Sequence, residues 1–395
     1  MIKSDFFTKA ILKLRKRPIY YNYNRHCTRQ IGHALLYYKT EPLYLQSRVK
    51  KYTHTNNWEV LEILRILNHL GLWVDVIDRN IQIDNLKLED KYEVFIGLGA
   101  GNSGKYFPHI AEMCPNAVKI FYAAGPEPEK SNELIKKRYE FYSARRNNSL
   151  ELRRMITEVD IHRAMNLTDA IFCVGNEFSM DTYREFGKPI FRLFPSSSPN
   201  LHLSMDEFNK RSPKEFLYFG GNGNVVKGLD LLLETFSELP QLQLHVCASD
   251  EKDFNHEYRE IIANCKNIHL HGFTEVCGPL FWELTSQCGY AILPSCSEGT
   301  ATSVTTVMRR GLIPVVTYES GIDIDDFGFL LHDLAINSLQ REIKNISDLP
   351  KNEFLSRQVK SYLSSMGYTQ MSFSHSFESG LLQVLLAHGR LYNER

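Results

Sequence analysis

At 395 residues the chain is too long for one ordinary core, so two domains are expected. Hydrophobic content of 43% and charged content of 23% are those of a globular soluble protein. Lys+Arg and Asp+Glu balance at 46 each, which excludes a nucleic-acid binder with a wholly basic surface. No apolar run approaches the ~20 residues needed to span a bilayer, and no signal-peptide pattern is seen.

The amino terminus carries a short basic amphipathic pattern. In SDFFTKAILKLRKRP, Phe6, Phe7, Ile11 and Leu14 accompany five Lys or Arg within residues 5–17, and Pro18 ends the run. Such a helix either docks on its own domain or lies on an anionic membrane surface. On the second reading the protein is cytoplasmic and peripheral at the inner face of a membrane.

Strand-like and helical runs then alternate. HALLYY (33–38) reads as strand, and 56–71 as a helix stopped by Gly71. Strands follow at 72–78, 92–97, 117–123, 169–175 and 188–194, with helices expected over about 130–147 and 151–167. The Pro- and Ser-rich stretch 195–215 reads as a linker. Alternation resumes with strands at 216–221, 241–249, 267–273, 289–294 and 312–318, and the last residues read as helices. Strands separated by helices imply βαβ units and two parallel sheets covered on both faces.

Several stretches carry chemistry. GLGAGNSGKY (97–106) follows an apolar strand and matches a P-loop up to its last position, where Tyr106 replaces the Ser or Thr that would hold Mg²⁺. ATP hydrolysis is therefore rejected. Gly101, Asn102 and Lys105, with Gly125 after the next strand, are expected to line a cleft, although a pure turn role for the glycines is the alternative. Eight cysteines show no C-x-x-C spacing, which suggests reduced thiols in a cytoplasmic protein rather than disulfides or zinc. His269 and His271 alternate as strand residues do, and no metal site is expected.

Two loops of the second half stand at strand ends, where open parallel sheets bind ligands. In FLYFGGNGNVVKGLD, Gly220, Gly221, Asn222 and Gly223 let backbone approach a ligand, and Lys227 stands at the mouth of the next helix. N–H groups, a helix dipole and a Lys⁺ suit a diphosphate, though glycines there also serve turns alone. In ILPSCSEGTATSVTTVMRRGLIPVVT, Glu298 precedes Gly299, Thr300, Ala301, Thr302 and Ser303, which open a helix. Glu298 either grips sugar hydroxyls or is a capping or solvated acid.

This second stretch resembles the signature of glycosyltransferase family 4. Glu298, Gly299, Met308, Gly311 and Pro314 match in register, and Lys227-Gly228-Leu229-Asp230 resembles that family's K-G-x-D element. The resemblance covers 216–320 well and the first half only in pattern. It departs at Thr306, where the family has a second Glu, and at Gly221, where it usually has Arg. A His that the family often places in the first domain is also missing from AAGPEPEKSNE (123–133).

The resemblance implies an α/β GT-B fold, two Rossmann-like domains facing across a cleft. The acceptor domain would span 1–200 and the donor domain 201–376, with 377–395 as a helix crossing back. It implies a retaining, metal-independent hexosyltransferase without cofactor, moving sugar from a UDP- or GDP-linked donor to a glycan or lipid-linked acceptor in surface polysaccharide biosynthesis. Glu298 and Lys227 would be catalytic. The residues of 220–223 and 299–303, with Thr306, Ser249, His271, Gly272 and Phe273, would bind the donor. The rivals are a degenerate donor-binding copy and an NAD-dependent nucleotide-sugar epimerase. Against the latter, this chain lacks an early G-x-G-x-x-G and a well-placed Y-x-x-x-K.

Overall fold

The computed structural model describes residues 19–23, 30–45, 55–99, 101–198, 201 and 203–390. The amphipathic pattern at 5–17 lies outside them.

Runs such as Val118–Ala123 and Cys288–Leu293 are buried at every position. A strand apolar on both faces needs cover on both, which a parallel sheet with flanking crossover helices supplies. The first sheet contains β1 (Ile19–Tyr23), β2 (Gly32–Tyr38), β3 (Leu72–Asp78), β4 (Val94–Leu98), β5 (Val118–Ala123), β6 (Ala170–Val174) and β7 (Ile190–Leu193). Its order is β1-β3-β2-β4-β5-β6-β7. All neighbours are parallel except β1, an antiparallel edge on β3 that the sequence pattern does not announce.

The second sheet contains β8 (Ser212–Phe219), β9 (Gln243–Cys247), β10 (Ile268–Leu270), β11 (Cys288–Leu293), β12 (Ile313–Val316) and β13 (Phe329–Leu330). Its order is β10-β9-β8-β11-β12-β13, parallel throughout. Each sheet thus reverses direction of winding once, between β2 and β4 in the first and between β8 and β11 in the second. Loops leaving the two strands at such a reversal splay apart and open a crevice. Gly99 and the stretch from Gly101 to Lys105 follow β4, and the loops carrying Lys227 and Glu298 follow β8 and β11.

Five helices matter for the site: α1 (Thr55–His69), α2 (Pro128–Arg146), α3 (Leu229–Ser237), α4 (Thr302–Met308) and α5 (Gln370–Ala387). Helix α5 begins at Gln370, earlier than the periodicity suggests. It buries Phe373, Phe377, Leu381, Val384 and Leu385 in the core of the first sheet, so the chain returns to its first domain. Helix α2 crosses the other way. Although it follows β5, its Ile135, Tyr139 and Tyr142 are buried in the core of the second domain.

One expected helix is absent. Residues 151–160 contain no helix, and helical structure begins only at Ile161. Asn147 ends α2 in the left-handed conformation, and Arg154 has φ +65°. The Asn102 carboxamide accepts from the amides of Thr157 (2.8 Å) and Glu158 (3.1 Å). The Asn132 side chain bonds both backbone groups of Ile156. These side chains meet the backbone groups a helix would have used internally, so the segment runs as an extended strap across the mouth of the crevice.

Candidate active site

Lys227 and Glu298 come together at the reversal of the second sheet. The Lys227 ammonium donates to Glu298 Oε1, and Ser295 Oγ donates to the same oxygen at 3.3 Å. Both charged side chains are almost wholly buried. From the strap, the Arg154 guanidinium reaches the same carboxylate, Nη1 to Oε1 at 2.6 Å and Nη2 to Oε2 at 3.3 Å.

Burial acts against the charge of Glu298, but Arg154 and then Lys227 outweigh it and hold the carboxyl at about 2. Burial pulls the Lys227 ammonium below its ordinary value, with Glu298 opposing. The Glu298 charge pushes Arg154 above its ordinary value. Two cations facing one carboxylate leave the cluster with a net positive charge.

The glycine loop after β8 is held from behind. Glu251, just past β9, accepts from the amides of Gly223 (2.6 Å) and Asn224 (3.2 Å), so the Gly223 N–H is not free for a diphosphate as expected. Gly220 donates to Cys247 O at 2.9 Å. Gly223 has φ +93°, and a Cβ there would meet Arg154 Cδ at 2.6 Å, so the glycine makes room for the arginine stem. Gly221, next to Asn222, faces open space.

After β11, the Ala301 amide is taken by Ser320 O at 2.9 Å, so it too is unavailable. Ala301 also begins α4 as its cap, with Thr302 and Ser303 in the first turn. Thr300 Oγ1 and Asn224 Oδ1 are buried without a hydrogen-bond partner among the described residues. Unmet polar atoms beside the ion pair are what a polar ligand would satisfy. Thr306 is buried within α4.

The two domains touch at this point. A Cβ on Gly299 would overlap Ala124 O, and a Cβ on Gly125 would meet Gly299 N at 3.2 Å. Ser131 and Ser297 hydroxyls lie 2.7 Å apart. Gly125 therefore packs on the loop that carries Glu298. Charge joins the domains more widely. Arg145 pairs with Asp230 and Glu234, Arg146 with Glu257, Arg153 with Glu251 and Asp253, and Arg192 with Asp323.

Other expected residues have other surroundings. Lys105 pairs with Glu158 of the strap at 2.6 Å, and Gly101 (φ +67°) turns the chain toward Asn102. The P-loop-like stretch thus anchors the strap. Ser249 offers its carbonyl to Asn224 at 3.5 Å. His271 Nε2 meets His245 Nδ1 at 3.1 Å and so faces its own domain. Gly272 (φ +69°) presents Phe273, which is 81% exposed. Glu215, His245 and Cys288 bring ligand-type atoms within 4.8 Å of one another, and Glu215 and His245 are already hydrogen-bonded at 3.0 Å. Sequence reasoning missed Arg154, Glu251 and Asn132. Only the Arg153-Arg154 pair in a polar run marked the place.

Residues 203–353 match the family model described as glycosyl transferases group 1, the stretch that carries both Lys227 and Glu298. The whole chain is similar in structure to glycosyltransferases. It overlays sucrose-phosphate synthase from Thermosynechococcus elongatus with TM-score 0.63 at 11% identity, covering 90% of this chain and 100% of that one. The chain is a glycosyltransferase of the GT-B fold. It likewise overlays Anabaena HepE, solved with UDP and glucose, with TM-score 0.59 at 10% identity over 89% of this chain and 99% of that one. No curated protein matches the sequence. Among the described residues of this glycosyltransferase, no helix is long and apolar enough to cross a membrane.

Proposed function

We propose that this glycosyltransferase takes a UDP- or GDP-linked sugar in its second domain and transfers it, with retained anomeric configuration, to a glycan or lipid-linked acceptor held by the first. The Lys227–Glu298 pair at the sheet reversal carries the reading. HepE, similar in fold, was solved with UDP and glucose, which supports a UDP-linked donor.

In the proposed reaction the bond between the anomeric carbon and the diphosphate oxygen breaks as the acceptor oxygen bonds to that carbon. The departing phosphate oxygen takes the acceptor's proton, so no side-chain base is required. Negative charge grows on the diphosphate, and a preplaced cation in a water-poor site lowers the energy of that state. Lys227, buried and held at the mouth of α3, supplies it. Glu298, ionised at every working pH, accepts from a donor-sugar hydroxyl and fixes the ring. Surface polysaccharide or lipid-linked glycan assembly is the proposed setting.

A thermal-shift panel of UDP, GDP, their sugars and NAD tests the reading. Stabilisation by a nucleoside diphosphate and its sugar supports it. Stabilisation by NAD alone would favour an epimerase, no stabilisation would favour a non-catalytic interaction protein, and binding of the donor without its turnover would favour a degenerate copy.

A further inference from the structure

We propose that Arg154, delivered from the first domain by the strap, is the second cation on the donor diphosphate, so that the donor site is complete only when the domains are together. The inference rests on the donor reading above and deepens it. A nucleoside diphosphate brings at least two negative charges, and within the second domain Lys227 is the cation seen at Glu298. Position 221, where a cation would be expected beside the glycine loop, is Gly with open space around it.

Arg154 occupies that neighbourhood from the other side. Its stem lies on Gly223, and its guanidinium is within 2.6 Å of the carboxylate that Lys227 also binds. A planar guanidinium grips two oxygens of a carboxylate or a phosphate equally well, so an entering diphosphate can take over the fork that Glu298 now holds. Glu298 is then released toward the sugar.

The strap is built to hold this side chain. A non-glycine residue at φ +65° is strained and persists only where its surroundings over-determine it. Here Asn102 and Asn132 fix residues 155–158 on one side of Arg154. On the other side Arg153 donates its amide to Tyr139 Oη at 3.2 Å and its guanidinium to Asp253 at 2.8 Å. A surface ion pair needs no such scaffold.

The test is calorimetric titration of UDP and GDP into wild-type protein, Arg154→Ala and the double variant Arg154→Ala/Gly221→Arg, with initial rates of donor turnover. Arg154→Ala is expected to weaken the bound nucleotide by about tenfold or more, as for a lost hydrogen bond to a charged group, without a fall in melting temperature beyond a few degrees. Placing the cation at 221 is expected to recover most of the loss, a rescue that a merely structural role would not allow. Arg154→Gln serves where Ala perturbs folding. Unchanged or tighter binding by Arg154→Ala and Arg154→Gln overturns the proposal and makes Arg154 a plug that the donor displaces. Wild-type protein that binds neither nucleotide overturns the donor reading itself, and the role of Arg154 with it.

Discussion

Lys227 and Glu298 stand 71 residues apart in the chain, on loops that leave adjacent strands, and their side chains form one buried ion pair. The pair is isolated from bulk water on the second domain's side and faces the first domain through Arg154. Breaking such a pair from one side leaves the other charge buried and costly, so binding and turnover must be read per folded molecule.

Glu298→Gln keeps the shape and an acceptor oxygen but removes the charge. It is expected to lower transfer by orders of magnitude, read as donor turnover per folded molecule. Retained turnover would show that the carboxylate is structural.

The same residue sets an acid limit on stability. Its folded pKa, about 2, lies below the ~4.3 of an unfolded glutamate. The stabilisation is therefore present above about 4.3 and is lost as pH falls from there toward 2. Melting temperature followed from pH 6 to 2 should fall less steeply for Glu298→Gln than for wild type.

Glu59 on α1 acts with the opposite sign. It is 3% exposed, Tyr38 Oη donates to it at 3.5 Å, and burial pushes its carboxyl up to about 7. A folded pKa above the unfolded ~4.3 means that stability is lost as pH rises between these values, and the loss persists above 7. Glu59→Gln is expected to melt higher than wild type at pH 8 and to match it near pH 4. Equal melting curves at pH 8 would contradict this.

Asn102→Ala removes the anchors on Thr157 and Glu158. Faster amide exchange is expected over residues 154–158, with donor binding weakened several-fold and the global melting temperature little changed. Lys105→Ala removes only a solvent-screened pair with Glu158, so its effect should be smaller. Transfer should persist in EDTA, and ATP should be neither hydrolysed nor protective. Mg²⁺-dependent phosphate release lost in Lys105→Ala would restore the P-loop reading.

The apolar runs announced most of the sheet strands because a strand buried on both faces must be apolar along its length, as β4 and β11 are. The loops bearing Lys227 and Glu298 were legible because glycine and a lone acid at strand ends are unusual there. The strap was not legible. Its polar, helix-compatible letters are overridden by Asn102 and Asn132, which lie far away in sequence. Glu251 was hidden for the same reason, since a carboxylate that closes a glycine loop looks like any surface acid until β8 and β9 are paired. Edge strands β1 and β13 are short and only half buried, so neither shows the long apolar run of a central strand.

The central claim, that the Lys227 site holds the donor diphosphate, is tested most directly by calorimetric titration of UDP and GDP into wild type and Lys227→Ala. Wild type is expected to bind at least one of the two. Lys227→Ala should weaken it by about 1.5–3 kcal/mol, roughly 10- to 150-fold, the range for a hydrogen bond to a charged group. Equal affinity in the two proteins, or no binding of either nucleotide to wild type, would contradict the account.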